Sequence, residues 1–235
     1  MSHPLTVRVS GVHRETPTTR VVRVGLNGAP FDYCAGQSVL VGPHGHPARK
    51  AYSIACAPEE ARRNGWIEFL IKMDAAGEHG THLTGLRRGA YLDVEGPFGS
   101  FCFPADPAER RFLFVAGGTG IAPIRAMMRH AVAARCPGRL GLVYSARRPD
   151  ELAFHREFHR LARSGAIEFL ETVTRAAGLR WHGERGRIDL AQLAPFVEDA
   201  ATLCFVCGPV ALVEDVPRLL RQLGVAPGRI RVEQW

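Results

Sequence analysis

The segment that most constrains the fold is an apolar run that ends in a glycine-rich turn and continues into a helix. Arg111–Ala116 is almost continuously apolar, Gly117-Gly118-Thr119-Gly120 follows it, and Ile121–Ala134 has the composition and spacing of a helix. A short buried strand with a helix directly after it is typical of parallel βαβ units, whose sheets carry helices on both faces. This part of the chain therefore predicts an open α/β domain.

The remainder of the second half repeats the alternation of strand and helix. The predicted strands are Leu140–Tyr144, Ile167–Thr172, Thr202–Val206 and Ile230–Val232, and the predicted helices are Glu151–Arg163, Leu190–Phe196 and Ala211–Leu223. Such alternation predicts parallel βαβ units with helices on both faces of the sheet.

The first hundred residues have a different pattern, with short segments that are rich in β-branched or aromatic residues and bounded by Gly, Pro or Asn. The predicted strands are Leu5–Val12, Thr19–Leu26, Gln37–Val41, Ala51–Cys56, Trp66–Met73 and Tyr91–Glu95, with one short helical stretch at Thr81–Leu86. Six such strands predict a small antiparallel β-barrel. The Pro-rich stretch at 104–107 predicts a boundary, with a barrel domain at 1–106 and an α/β domain at 107–235.

Composition narrows the function classes. No apolar run approaches the roughly 18 residues that span a bilayer, and the N-terminus lacks the pattern of a signal peptide, so a cytoplasmic protein is expected. The six cysteines are scattered, and the single C-x-x-C at 204–207 has no second pair, so no metal or iron–sulfur site is predicted. The formal net charge of +7 favours a negatively charged partner, and without a basic run or an aromatic–basic motif we expect no nucleic-acid binding.

The glycine-rich turn suits phosphate binding. Glycines let a phosphate approach bare backbone N–H groups at the positive end of the following helix, and Pro123 fits the first helical turn. In an unrelated protein, the same turn would only pack a strand against a helix. The next strand ends in Tyr144-Ser145-Ala146-Arg147-Arg148, without the acidic residue that binds a free ribose. Hydroxyl and guanidinium groups there suit a 2′-phosphate, although two solvated arginines would give the same pattern.

Four further motifs occur in a fixed order along the chain. Arg49-Lys50-Ala51-Tyr52-Ser53 lies on a predicted strand, and Gly80-Thr81 begins the short helical stretch. Gly96-Pro97-Phe98-Gly99 forms a compact turn, and Cys207-Gly208-Pro209 follows a buried strand at the sheet edge where ligands bind.

Together these motifs resemble those of the ferredoxin–NADP reductase superfamily, including its plant-type and bacterial ferredoxin or flavodoxin reductases, over nearly the whole chain. The resemblance implies FAD and NADPH or NADH as cofactors. It implies that the flavin contacts Lys50, Ala51, Tyr52, Ser53, Gly80 and Thr81. It implies that the nicotinamide nucleotide contacts Gly117, Gly118, Thr119, Gly120, Pro123, Cys207, Gly208 and Pro209. Thr174-Arg175, with Ser145 and Arg147, resembles the 2′-phosphate contacts of NADPH-using relatives, which favours NADPH over NADH.

The resemblance also implies catalytic roles. Ser53, Cys207 and Glu233 are expected to align nicotinamide C4 with flavin N5, and Ser53 and Glu233 to handle the N5 proton. Trp235 matches the terminal aromatic residue that covers the flavin until nicotinamide displaces it; otherwise it would be a frayed terminus. One departure concerns Lys50, which stands where the family has Arg, and which offers a point charge instead of a planar fork.

The expected function is hydride transfer from NAD(P)H to FAD, followed by single-electron transfer to a separate acidic protein such as a ferredoxin, a flavodoxin or an oxygenase component. A monomer is expected. Two alternatives remain open: an NAD(P)H:free-flavin reductase, which Lys50 makes plausible, and a non-catalytic flavin- or nucleotide-binding electron-transfer subunit.

Overall fold

The computed structural model describes residues 4–73, 83, 86–176, 178, 180–197 and 200–235. Contacts divide the chain into two compact units. The first comprises Met1–Phe103 with Arg125–Ala133, and the second comprises Pro104–Ile124 with Ala134–Trp235. A helical segment from the second half of the chain is therefore part of the first unit. The boundary after residue 106 stays a prediction.

The first unit contains six antiparallel strands in the order β4-β3-β6-β1-β2-β5. Their bounds are Leu5–Thr16 (β1), Thr19–Gly25 (β2), Ser38–Pro43 (β3), Lys50–Ser53 (β4), Trp66–Lys72 (β5) and Tyr91–Phe98 (β6). The strands alternate between buried and more exposed residues, as on β1, where Val7 and Val9 are buried and Thr6 and Arg8 are exposed. This period of two places one face of each strand in a common core.

The two outer strands of this sheet meet and close it. Ile54, directly after β4, forms an antiparallel bridge with Phe69 of β5, and the Ala55 N–H donates to the Glu68 carbonyl at 2.8 Å. The predicted six-stranded antiparallel barrel is therefore confirmed.

Helix α1, Pro58–Asn64, was not predicted from the sequence. Pro58 suits its first turn, and the Glu60 carboxylate accepts the Ala57 N–H at 3.0 Å. Gly65 ends the helix in the left-handed conformation (φ +69°). Its seven residues are too few to show a periodic pattern, so only these end groups could have indicated it.

The second unit contains a parallel sheet in the order β10-β9-β8-β7-β11-β12. Its strands are Arg111–Gly117 (β7), Arg139–Ala146 (β8), Glu168–Val173 (β9), Glu184–Arg185 (β10), Leu203–Gly208 (β11) and Ile230–Gln234 (β12). The helices are Ile121–Ala133 (α2), His155–Arg163 (α3), Leu190–Leu193 (α4) and Val210–Gln222 (α5). The predicted parallel α/β fold is confirmed, and β10 adds a two-residue strand that is too short for a sequence pattern.

Two neighbouring inner strands of the parallel sheet, β7 and β11, are buried along their whole length. Every residue of β7 and β11 is buried, and Phe114 stacks on Phe205 with ring centroids 5.3 Å apart. Strands covered on both faces have continuous apolar sequences, which explains why this run was the clearest feature of the sequence.

A buried carboxylate joins three elements of the first unit. Glu68 of β5 is 3% exposed. Its Oε1 accepts from Arg23 Nη2 at 2.6 Å, and its Oε2 accepts from Arg125 Nη1 of α2 at 3.0 Å. Arg125 also donates to the Ala55 carbonyl at 2.7 Å. Burial by itself raises the pKa of Glu68, but the charges and hydrogen bonds of Arg125 and Arg23 outweigh it and lower that pKa below its ordinary value.

We predict that Glu68→Gln lowers the free energy of unfolding at neutral pH by roughly 3–5 kcal/mol, because it leaves the buried Arg125 cation uncompensated. Since the folded-state pKa of Glu68 is lowered, the wild-type pair stabilises the fold above the unfolded value of about 4.3. That stability is lost as pH falls through the folded pKa. The difference in the free energy of unfolding between the wild type and Glu68→Gln should therefore be smaller in acid. Urea unfolding at pH 7 and at about pH 3 measures this.

Asp32→Asn is the matched control, because Asp32 is 85% exposed and lies 3.8 Å from Arg62. It should change the free energy of unfolding by less than about 1 kcal/mol. Equal losses in the two variants would contradict the role given to the buried cluster.

Candidate functional site

The ends of five neighbouring strands meet at the carboxyl edge of the parallel sheet. In the strand register, Gly117 of β7 is opposite Ser145 of β8, and Ser145 is opposite Thr172 of β9. On the other side of β7, Cys207 of β11 is opposite Ala116, and it pairs with Glu233 of β12. This edge is where ligands of open α/β sheets bind, and most of the predicted nucleotide-binding residues lie on it.

The glycine-rich turn packs directly against the Cys207-Gly208 backbone. A Cβ on Gly120 would overlap the Cys207 carbonyl and would lie 2.8 Å from Gly208 Cα. A Cβ on Gly208 would lie 3.1 Å from Gly117 N and Cα. The two turns therefore touch backbone to backbone, and the glycines are required by space.

The outer face of the same turn is open. Gly118 has a left-handed conformation (φ +54°), is exposed, and has no atom within 4 Å of the position of a Cβ. Gly118–Gly120 forms a 3₁₀ turn that leads into α2, where Pro123 is buried. The first N–H groups of a helix have no partners within the helix, so this bare turn fits a phosphate.

Tyr144 supports the turn and was not anticipated from the sequence. It is fully buried, its hydroxyl donates to the Gly118 carbonyl at 3.2 Å, and it accepts the Ala153 N–H at 3.1 Å. A tyrosine at the end of an otherwise aliphatic strand indicates a hydroxyl that needs partners when buried. That pattern is the sequence feature that could have indicated the contact between Tyr144 and the glycine turn.

The residues predicted to contact a 2′-phosphate come together on neighbouring loops. The Thr174 N–H donates to the Ala146 carbonyl at 3.0 Å, and the Arg175 N–H donates to the Arg147 carbonyl at 2.7 Å. Both arginine side chains are exposed. With Ser145 at the end of β8, two hydroxyls and two guanidiniums lie at adjacent strand ends, which is a donor set that suits a phosphate.

Cys207, Glu233 and Trp235 form the other end of this edge. The Trp235 N–H donates to the Gly208 carbonyl at 3.0 Å, and its indole N–H donates to Glu233 Oε2 at 2.7 Å. Burial raises the pKa of the Glu233 carboxyl, and the Trp235 hydrogen bond opposes that rise. Burial, together with the Glu233 charge, raises the pKa of the Cys207 thiol. Cys207 is therefore a neutral thiol at neutral pH, and not a nucleophile.

The predicted flavin-contacting residues of the first unit lie on β4. Lys50 and Ala51 are exposed, Tyr52 is half-buried, and Ser53 is 5% exposed. The Tyr52 ring packs near Phe69, with centroids 6.4 Å apart, and burial raises the pKa of its phenol to about 12. Tyr52 thus has a neutral phenol ring that packs against Phe69 on one side.

Arg49 directly precedes β4, and its guanidinium lies near two carboxylates of β6. Its guanidinium lies 3.6 Å from Glu95 and 3.9 Å from Asp93. Lys50 is the exposed cation of this segment. Gly80 and Thr81, predicted to contact the flavin phosphates, lie outside the described residues.

The chemistry of β4 fits a flavin. In the part of the chain that the structure describes, β4 pairs with β3 along one edge, and its link to β5 begins only at Ile54. Strand β4 therefore stands at the end of the sheet order, and it carries the Ser53 hydroxyl next to Tyr52 in the chain. Hydrogen-bonding groups beside a half-buried aromatic ring suit a flat heteroaromatic ligand, and Lys50 suits its phosphates.

Comparison with known proteins agrees with this geometry. Residues 114–218 match the family described as an oxidoreductase NAD-binding domain, and residues 6–103 match an oxidoreductase FAD-binding domain. Fold and matches together define a flavin- and nicotinamide-nucleotide-binding oxidoreductase. Ferredoxin–NADP reductase B of Sorangium cellulosum is 32% identical, with 100% of this chain and 98% of that protein covered. The chain therefore belongs to the ferredoxin–NADP reductase superfamily, as predicted, with FAD and a nicotinamide nucleotide as its cofactors.

Two further relatives show the range of the family. The ferredoxin–NAD(+) reductase component of the alkene monooxygenase system of Xanthobacter autotrophicus is 31% identical, covering 94% of this chain and 68% of that protein. The crystal structure of a ferredoxin NADP⁺ reductase from Neisseria gonorrhoeae with bound FAD and NADP has a TM-score of 0.82. It covers 100% of this chain and 99% of its own at 20% identity, so it supports the fold alone. Among the described residues, no helix has the length and apolar character needed to cross a membrane.

We predict that Gly120→Ala disrupts nucleotide binding and lowers the free energy of unfolding by roughly 1–3 kcal/mol, because its methyl group would overlap the Cys207 carbonyl. Gly228→Ala is the control: no atom lies within 4 Å of its Cβ position, so it should be neutral within about 0.5 kcal/mol. Thermal unfolding and NADP⁺ titration measure both effects. Wild-type affinity in the Gly120 variant would show that the two turns need not touch.

Proposed function

We propose that this chain is a flavoprotein reductase that takes hydride from NADPH, or less readily NADH, and delivers single electrons to a separate acidic carrier protein. The observation that carries the proposal is the alignment at one sheet edge of the glycine turn, the Cys207-Gly208 turn and Glu233. A protein that only bound a nucleotide would need the turn, but not a buried thiol with a half-buried carboxyl beside it.

The residues of this edge have separate tasks in the proposal. Gly117–Gly120 receives the nucleotide phosphates on bare backbone, and Cys207 and Gly208 form the surface on which the nicotinamide ring lies. The neutral Cys207 thiol offers a weakly polar contact without repelling or attacking the ring. Glu233, whose pKa burial raises against the opposing Trp235 hydrogen bond, is proposed to hold or move a proton.

On the first unit, β4 is proposed to hold the flavin. FAD, when bound, supplies the chemistry that accepts hydride and releases electrons one at a time. Tyr52 gives the ring a fixed, neutral aromatic contact, and Ser53 is proposed to hydrogen-bond at N5. Lys50 is proposed to contribute one positive charge to the binding of the flavin phosphates. Its ammonium group makes fewer directed hydrogen bonds to a phosphate than an arginine would.

Two features support NADPH as the preferred substrate and an acidic protein as the electron acceptor. The donors of Ser145, Arg147, Thr174 and Arg175 favour a 2′-phosphate, hence NADPH. The net charge of +7 favours an acidic carrier, and steering by charge predicts turnover that falls as salt rises. Named relatives include both ferredoxin reductases and oxygenase reductase components.

An anaerobic titration of the purified protein with NADPH and with NADH, followed by visible absorption, tests the proposal. Bleaching of protein-bound flavin, with electrons then passed to an acidic one-electron carrier, is the expected outcome. A colourless protein that oxidises NADPH only when free flavin is added would replace it with a free-flavin reductase, which the Lys50 substitution favours. No oxidation of either nucleotide, even with added flavin, would leave only a binding subunit.

We predict that the double variant Arg147→Ala/Arg175→Ala raises the KM for NADPH by roughly 10- to 100-fold, because charge-assisted hydrogen bonds to the 2′-phosphate are lost. The KM for NADH should stay nearly constant. Arg148→Ala is the matched control, since Arg148 is the next residue, is exposed, and pairs with Asp150 at 3.2 Å. Parallel KM increases for both nucleotides in the double variant would contradict recognition of the 2′-phosphate.

We also predict that Trp235→Ala strengthens nicotinamide binding several-fold, because the ring no longer competes for the surface beside Cys207. Removal of the indole donor should also raise the pKa of Glu233 further, since the opposing hydrogen bond is gone. NADP⁺ difference spectra across a pH series measure both effects. Trp235→Phe separates them: it keeps a competing ring and loses the donor, so only the pKa effect should remain.

A further inference from the structure

Two histidines and one glutamate outside the predicted cofactor sites converge in the second unit. His155 and His159 are one turn apart on α3, and Glu171 lies on β9. His155 Nδ1 lies 2.9 Å from Glu171 Oε2, and His159 Nε2 lies 3.1 Å from Glu171 Oε1. We propose that these three side chains form a binding site for a transition-metal dication of the Zn²⁺ type.

The spacing of the ligands supports the proposal. Residues four apart on a helix lie on the same face, and two histidines at this spacing form one side of known zinc sites. One ligand atom from each of the three side chains can be chosen so that all lie within 4.8 Å of one another. Bonds of 2.0–2.1 Å place tetrahedral ligands about 3.3 Å apart. An ion therefore needs the two contacts of 2.9 and 3.1 Å to widen slightly, and any ligand pair near the 4.8 Å limit to move closer.

The surroundings fix the ligands in place. The Glu171 side chain is 11% exposed, while those of His155 and His159 are 40% and 42% exposed. The two imidazoles are in edge contact, with centroids 4.3 Å apart, and His159 also contacts the edge of Phe169 at 5.2 Å. The Glu171 carboxylate is thus mostly buried, whereas the two imidazoles are partly exposed to solvent. An ion can therefore reach the three side chains from solvent without unfolding of the site.

The chemistry of the donors selects the metal. Two imidazole nitrogens and one carboxylate suit Zn²⁺, Co²⁺ or Ni²⁺, whereas Mg²⁺ and Ca²⁺ prefer oxygen ligands. Three protein ligands leave a fourth position for water or an anion. Arg156, Arg160 and Arg163 line the cavity beside the two histidines, so the fourth ligand favoured there is an anion. The sequence predicted no metal site, because the third ligand comes from a different element.

Isothermal titration of ZnCl₂ into the FAD-loaded, chelator-treated protein tests the site. The background variant should be Cys34→Ser, because Cys34 is an exposed free thiol that can bind zinc itself. One equivalent of Zn²⁺ should bind, and His155→Ala/His159→Ala should weaken that binding by more than about 100-fold. His13→Ala/His182→Ala, which removes two exposed histidines elsewhere, should leave it unchanged.

A second readout keeps the test valid if the double variant folds poorly. Glu171→Gln keeps the side-chain size and His159→Asn keeps a neutral polar side chain, and each should weaken binding by roughly 10-fold or more. Co²⁺ should give visible absorption of the intensity expected for four-coordinate metal in the background variant, and that absorption should be lost in His159→Asn. Absence of stoichiometric binding in the background variant, or equal affinity in the two double variants, would overturn the proposal and leave a hydrogen-bonded histidine pair.

Discussion

The structure of the second unit depends on a contact between two stretches of bare backbone. Gly117–Gly120 lies against Cys207-Gly208 so closely that one added methyl group has no room. Neighbouring strands β7 and β11 bring the two turns together, and their full burial keeps those strands in register. Backbone contact of this kind fixes positions more tightly than side chains can, because it leaves no rotamers to adjust. The turn proposed to bind phosphates and the surface proposed to bind nicotinamide are thereby positioned by the same contact.

In the first unit, which has an apolar core, a segment of α2 is joined to the barrel strands by charge. Glu68 accepts hydrogen bonds from Arg23 and Arg125, so one buried carboxylate connects β2, β5 and helix α2. A buried ion cluster adds little net stability compared with apolar packing, but it is strongly unfavourable when incomplete. The cluster therefore specifies which segment of α2 packs on the strands, because a shift along the helix would separate Arg125 from Glu68 and the Ala55 carbonyl. Apolar packing between Val and Ile side chains would specify this position less strictly.

The sequence predicted the architecture because periodicity is a local property. Six β-strands, the parallel sheet and the glycine turn all follow from residues close together in the chain. Contacts between distant residues could not be predicted in that way. Glu68 lies between Ile67 and Phe69, and Arg125 lies between Ile124 and Ala126. A charge between two apolar neighbours indicates a buried partner but does not identify it. The Tyr144 hydroxyl contacts Gly118 and Ala153, which lie in other segments of the chain. The meeting of His155, His159 and Glu171 depends on how α3 packs against β9. No spacing along the chain encodes these contacts.

The burial of Cys207 has a consequence for the chemical durability of the protein. Reduced flavins react with oxygen, so a reductase of this class works close to a source of peroxide. Thiols are oxidised and alkylated through the thiolate, and burial with the Glu233 charge raises the pKa of the Cys207 thiol. Burial likewise raises the pKa of Cys204 to about 12. The sulfur nearest the proposed nicotinamide surface is therefore held in its unreactive form, and inactivation by peroxide should begin at other residues.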